Sequence, residues 1–179
     1  MAQKDARLLD VLVGTYDDVD DALEDLDRLR VLYDSLGTSY NFDAAVVSKN
    51  QKGRIKINRS YEAAKRHEAL KGLGFGLAAG LIAAIFPAVG IAEALVVGGT
   101  GGAAIGAIVG HVQTGIPRDE LKKIADQLDT SSAALIVVYE TSLTEQITKN
   151  LKAVRRAVTR LADLRADAIA DEIKEARSA

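Results

Sequence analysis

Two rows of small residues, each repeating at every fourth position, constrain this chain more than any other feature of its sequence. The first row comprises Gly72, Gly76, Gly80, Ala84 and Ala88, and the second comprises Ala94, Gly98, Gly102, Gly106 and Gly110. On a helix with 3.6 residues per turn, this spacing produces a stripe without bulky side chains, along which another helix can pack closely. Each glycine costs a helix about 1 kcal/mol relative to alanine, so close packing has to offset that cost.

The break between the two rows predicts a helical hairpin over residues 67–114. Pro87 cannot donate a hydrogen bond to a preceding helical turn, and Gly90 permits the chain to reverse. The stretch from Gly72 to Ala92 carries no charge. The first arm of the hairpin, from about Lys71 to Ile85, would be about 22 Å long, which is shorter than the roughly 30 Å of a bilayer core. We therefore expect a hairpin that dips into one leaflet or crosses a thinned bilayer.

Basic residues flank the predicted hairpin on both sides. Lys65, Arg66 and Lys71 precede it, and Arg118, Lys122 and Lys123 follow it. Positive flanks are typical of segments whose two ends stay on the cytoplasmic side, and they attract anionic lipid headgroups. Alternatively, the basic stretch 49–71 is neutralised by the acidic helix 17–27 of a neighbouring copy, and the hairpins pack inside a soluble shell or filament.

The rest of the chain predicts an α+β frame around this insert. A strand at residues 8–15 precedes an amphipathic helix that ends near Gly37, and two further strands, 42–48 and 54–58, form a hairpin. After the insert, Pro117 begins a short helix, and residues 132–139 form a strand that is apolar on both faces. The order βαββαβ predicts a ferredoxin-like sandwich built from residues 1–66 and 115–140.

The carboxy-terminal segment, residues 141–179, predicts a long amphipathic helix. Its apolar residues follow helical spacing, beginning with Leu143, Ile147 and Leu151. A helix of about 35 residues would reach roughly 50 Å, beyond the width of a small sandwich. We expect its far end either to meet a partner helix or to fray.

The composition favours no catalytic or cofactor chemistry. The chain has no cysteine, a formal charge of −2, and only 4% aromatic residues with no tryptophan. These values exclude thiolate sites and give no basis for nucleic-acid binding. His67 and His111 lie nearly symmetrically about the hairpin break and are weak candidates for a metal site, but their spacing to the nearby Glu62 and Glu68 is not diagnostic. We expect no cofactor and assign no catalytic residue.

Three stretches of the sequence resemble a known family. They are AAVVSKNQKG at residues 44–53, the glycine-rich hairpin, and the strand SSAALIVV at residues 131–138. The chain resembles a family of small bacterial proteins that are labelled as a domain of unknown function and often as predicted membrane proteins. The resemblance implies a homo-oligomeric protein that associates with a membrane or with copies of itself, and it brings no catalytic residues.

Together these features predict a non-enzymatic homo-oligomer whose glycine-zipper hairpin inserts in or docks on a membrane. The amino-terminal residues lack the unbroken apolar run of a secretory signal, so we expect a cytoplasmic protein at the inner face of the cell membrane. The expected partners are other copies of the chain and anionic lipid. A small-ligand or metal-binding enzyme is the less favoured alternative.

Overall fold

A computed structural model of the chain describes residues 8–36, 42–49, 51, 55–62, 117–129 and 131–165. In chain order, the elements are β1 (Leu8–Tyr16), α1 (Val19–Leu36), β2 (Phe42–Lys49), β3 (Ile55–Glu62), α2 (Arg118–Asp129), β4 (Ala133–Glu140), a 3-10 turn (Thr141–Leu143), α3 (Thr144–Asn150) and β5 (Arg156–Arg165). The predicted hairpin 67–114, with its glycine rows, its break and both histidines, lies outside the described residues. So do Lys65, Arg66 and Lys71.

The five strands form one antiparallel sheet in the order β3-β2-β4-β1-β5. β4 pairs on one side with β1, where Val11 lies opposite Val138, and on the other side with β2, where Asp43 lies opposite Val138. Because both neighbours run antiparallel to β4, β1 and β2 are parallel to each other, and α1 connects them. The predicted α+β class with an antiparallel sheet is therefore confirmed.

The strand order corrects the predicted ferredoxin-like topology. In a ferredoxin-like sheet, β3 lies between the parallel strands β1 and β2. In this sheet β4 lies between them instead, and β3 lies at the edge. Every residue of β4 is buried, which suits a strand with a neighbour on each side. In β3, Lys56 and Arg59 are exposed, and charged side chains suit an edge strand.

Helices α1 and α3 pack on one face of the sheet, which we call the first face. Residues from both helices join strand residues in a single apolar cluster: Leu12, Tyr16, Ala22, Leu26, Leu29, Tyr33, Phe42, Ala44, Val46, Ala133, Leu135, Val137, Tyr139, Leu143, Ile147 and Leu151. The amino end of α1 is capped by Asp18, whose carboxylate accepts a hydrogen bond from the backbone N–H of Asp20 at 2.7 Å.

The prediction of a long helix over 141–179 is wrong. α3 ends at Asn150, Leu151 adopts an extended conformation with ψ 115°, and residues 156–165 form β5, which pairs with β1 from Leu8 to Thr15. The helical spacing of apolar residues agrees with the structure as far as Leu151, which is buried together with Leu143 and Ile147. Beyond it, pairing with β1 supplies hydrogen-bond partners to a strand that would otherwise be an open edge, and this outweighs local propensity.

The link between α3 and β5 passes close to β1. A Cβ atom on Gly14 would lie 2.8 Å from Val154 Cγ2, closer than van der Waals contact allows. The backbone N–H of Arg155 donates to the Thr15 carbonyl at 2.9 Å, and the Arg155 guanidinium pairs with the Asp17 carboxylate at 2.6 Å. The absence of a side chain at Gly14 therefore lets this link lie directly against the sheet.

Candidate functional site

The described residues contain a buried carboxylate, Asp25, at the centre of a polar cluster. Asp25 belongs to the acidic stretch 17–27, whose charge favours exposure to solvent, but its side chain is fully buried. It lies three residues after Ala22 and four before Leu29, both of which are buried, so helical geometry turns it toward the sheet. The helical spacing from Ala22 to Leu29 therefore predicts that Asp25 is buried, although the acidity of the surrounding stretch suggests exposure.

Asp25 accepts hydrogen bonds from three separate parts of the fold. The Tyr16 hydroxyl of β1 donates to Oδ2 at 3.0 Å, and the Arg28 guanidinium, one turn along α1, donates to Oδ1. The backbone N–H of Lys152 donates to Oδ1 at 3.0 Å, and that of Ala153 donates to Oδ2 at 3.1 Å. The carboxylate thus joins β1, α1 and the link between α3 and β5.

The electrostatics of this cluster keep Tyr16 protonated. Burial raises the pKa of the Tyr16 phenol well above its usual value near 10, and the charge and hydrogen bond of Asp25 raise it further. The phenol therefore serves as a hydrogen-bond donor and is held far from ionisation. All the donors named above point at the Asp25 carboxylate. The cluster therefore holds β1, α1 and the link before β5 together, and it does not present an activated nucleophile.

A second buried carboxylate, Asp10, holds the beginning of α3. The Thr141 and Thr144 hydroxyls each donate to it at 3.1 Å, and Thr141 also donates to the Leu8 carbonyl at 3.2 Å. Asp10 lies on β1, as Tyr16 does. α3 is therefore tied to the sheet at its beginning through Asp10 and just past its end through Asp25.

A shallow groove of about 490 Å³ lies on the outer side of α1. It is lined by Glu24, Asp27, Arg28, Val31, Leu32, Ser35 and Asn150. Its charged side chains pair with one another or with β3, as in the ion pairs Arg28–Glu24 and Arg59–Asp27. Val31 is 65% exposed there. Because its charged side chains are paired and its apolar side chain is exposed, this groove does not have the features of a catalytic cleft.

Of the residues predicted to pack in the hairpin, to flank it or to bind a metal, the structure describes three: Arg118, Lys122 and Lys123. All three are exposed on α2, the first described element after the predicted hairpin. Within the described ranges, no group of three or more metal-ligating side chains comes together. None of the helices in this part of the chain is both long enough and apolar enough to cross a membrane.

The comparison with known families identifies the chain. A family described as "Protein of unknown function (DUF1269)" matches residues 69–176, which is more than half of the chain. The chain belongs to this family. The DUF1269 match includes the glycine rows and the SSAALIVV strand, whereas AAVVSKNQKG lies before it. No curated protein and no solved structure matches the chain significantly.

The Asp25 cluster predicts a large loss of stability when its carboxylate is removed. In Asp25→Ala, the buried Tyr16 hydroxyl and the backbone N–H groups of Lys152 and Ala153 lose their acceptor, so we expect the free energy of unfolding to fall by about 3 kcal/mol or more. Urea denaturation measures the change. Asp27→Asn is the matched control, because Asp27 lies on the same helix and its half-exposed carboxylate pairs with Arg59 of β3. For the loss of this ion pair we expect the free energy of unfolding to fall by at most about 1 kcal/mol. Equal losses in the two variants would contradict the role assigned to Asp25.

The raised pKa of Tyr16 predicts a specific loss of stability at alkaline pH. In the unfolded chain the phenol ionises near pH 10, whereas the folded chain keeps its proton to higher pH. The unfolded state therefore binds fewer protons above about pH 10, and the free energy of unfolding falls as pH rises. Urea denaturation across this range should show a shallower fall in Tyr16→Phe than in the unsubstituted chain. An identical slope in the two proteins would refute the assignment.

Proposed function

We propose that this DUF1269 protein is a non-enzymatic, self-associating protein at the inner face of the cell membrane. In this proposal, residues 67–114 form a glycine-zipper helical hairpin that packs with other copies and inserts in or docks on a bilayer containing anionic lipid. The sheet with α1 and α3 serves as the scaffold that carries this segment. The family match supports treating the segment as part of the domain, because it begins at residue 69 and continues through β4 and into the residues beyond β5.

One pairing of features carries the proposal. Residues 94–117, which include the second glycine row, carry no acidic or basic side chain other than His111, and the helix that follows them exposes three basic residues, Arg118, Lys122 and Lys123. Arg118 and Lys122 are four residues apart, so they lie on the same side of α2. Each Lys or Arg near an anionic leaflet contributes about 1 kcal/mol of attraction. The exposed basic residues of α2 therefore support a contact between this end of the segment and anionic lipid.

The buried polar groups support a scaffold role for the described residues. Asp25 and Asp10 each accept several hydrogen bonds from within the fold, and the pKa of Tyr16 is raised. General bases and nucleophiles need the opposite arrangement, with an accessible group whose pKa lies near the working pH. The carboxylates of this cluster are better suited to holding α3 and β5 in place than to catalysis.

Substituting the glycine rows tests self-association. Replacing Gly76, Gly80, Gly102 and Gly106 with leucine should abolish the oligomer, because the bulky side chains prevent close approach of helix backbones. The matched control replaces the same four residues with alanine, which keeps the stripe small, and should retain the oligomer. Particle mass in mild detergent and in detergent-free buffer provides the measurement. An oligomer that survives the leucine substitutions would refute the zipper.

Reversing the charges on α2 tests the membrane contact. A variant carrying Arg118→Glu, Lys122→Glu and Lys123→Glu should bind vesicles that contain phosphatidylglycerol at least about a hundredfold more weakly, since it loses three attractions of about 1 kcal/mol each. A variant carrying Arg30→Glu, Lys149→Glu and Lys152→Glu controls for net charge, because it changes the charge by the same amount and all three residues are exposed outside α2. Co-sedimentation gives the affinities.

Equal weakening in the two charge variants would contradict the assignment of α2 as the contact. A large lipid-free particle that binds none of these vesicles would contradict the membrane role altogether. That second result would favour a soluble shell or filament with the hairpins packed inside.

A further inference from the structure

The face of the sheet opposite α1 and α3, which we call the second face, is mostly apolar and is largely covered over β1, β2 and β4. Nine of its apolar residues are between 0 and 6% exposed, and they are Leu9, Val11, Val13, Ala45, Val47, Ile55, Ala134, Ile136 and Val138. Only Ile57, on the edge strand β3, is partly exposed among the described apolar residues of this face. They alternate along the strands with the first-face residues that contact α1 and α3. Cross-strand pairs such as Val13–Ile136 and Ala45–Ile136 place them side by side. A surface this apolar has an occupant.

α2 alone is too small to be that occupant. Five strands at about 4.8 Å spacing, each about eight residues long at about 3.3 Å per residue, present roughly 630 Å². A helix of 12 residues is about 18 Å long and about 10 Å wide, and therefore covers roughly 180 Å². α2 contacts β1, but even if it lay flat on the second face it would leave more than half of that face uncovered.

The remaining candidates are the stretches of chain outside the described elements. Residues 1–7, 37–41 and 50–54 are too short to cover the uncovered area. Residues 166–179 amount to one further short stretch, and six of these 14 residues are charged. Residues 63–116 are by far the longest stretch, and they contain the charge-free run from Gly72 to Ala92.

We propose that residues 67–114 of the same chain dock on the second face when no lipid is present. The ends of the segment fit this position, because the preceding strand, β3, belongs to the sheet and the following helix, α2, contacts it. The apolar side chains of the segment and of the second face then shield each other from water. The inference is independent of the proposed function, because it follows from the burial of the sheet.

Site-specific photo-crosslinking tests this docking in the full chain without lipid. The sequence contains a single methionine, Met1, so a diazirine analogue of methionine can be directed to one further position by substitution. Ile136→Met places the probe on the second face, and Leu135→Met, the neighbouring residue on β4, places it on the first face. Mixing isotopically light and heavy chains distinguishes crosslinks within one chain from crosslinks between copies.

We expect the Ile136→Met probe to crosslink to peptides from residues 67–114 of the same chain, and the Leu135→Met probe to crosslink to α1 or α3. Crosslinks from Ile136→Met that join light to heavy chains would overturn the proposal in favour of a second copy. Crosslinks confined to residues 118–129 or 166–179, or capture of water alone, would also overturn it.

Adding vesicles that contain phosphatidylglycerol separates this inference from the proposed function. If the segment also inserts in lipid, its apolar side chains cannot remain on the sheet, and the same-chain crosslink from Ile136→Met should decrease while that from Leu135→Met stays constant. A crosslink that forms without lipid and is unaffected by vesicles would support docking and contradict membrane insertion.

Discussion

The hydrogen bonds from the backbone of Lys152 and Ala153 to the Asp25 carboxylate determine how the carboxy-terminal part of the fold is arranged. In a continuous helix, those two N–H groups would bond to carbonyls one turn earlier, and the buried carboxylate would lose two of its donors. An unpaired buried polar group costs about 1–3 kcal/mol, and a buried charge costs more. Ending α3 at Asn150 avoids that cost and releases the chain to form β5 beside β1.

β1 connects these features because it lies between β4 and β5 and carries Asp10, Gly14 and Tyr16. Asp10 holds the beginning of α3, Tyr16 donates to Asp25, and Gly14 leaves room for Val154. One strand thus fixes both ends of α3 and the path of the link into β5. The hydrogen bonds from Lys152 to Asp25 and from Thr141 to Asp10 join residues more than 100 positions apart, so they hold the carboxy-terminal elements against the amino-terminal part of the fold.

Local elements could be predicted from the sequence because their signals are local. The alternation in β3, the apolar run of β4 and the helical spacing of α1 each specify one element, and the bounds agree within a few residues. The strand order could not be predicted, since it depends on which strand has the apolar surface to fill the gap between β1 and β2. The spacing of apolar residues after Leu151 fits a helix, but this spacing contains no information about the pairing of β5 with β1.

The same distinction applies to the candidate site. Lys122 and Lys123 are exposed, as their charge favours, whereas their contact with lipid stays a prediction. Asp25 was missed because its charge suggested solvent, whereas its partners come from β1 and from the backbone after α3. A residue whose partners are distant in sequence gives only an indirect signal, which here was its position between Ala22 and Leu29.

We propose that this scaffold presents residues 67–114 to a membrane. Density-gradient flotation of a detergent-free cell lysate, with a high-salt wash of the floated fraction, tests that claim most directly. We predict that the protein floats with lipid and stays there after the wash, because apolar contacts are insensitive to salt screening. Recovery of the protein at the bottom of the gradient as a large lipid-free particle would contradict the claim.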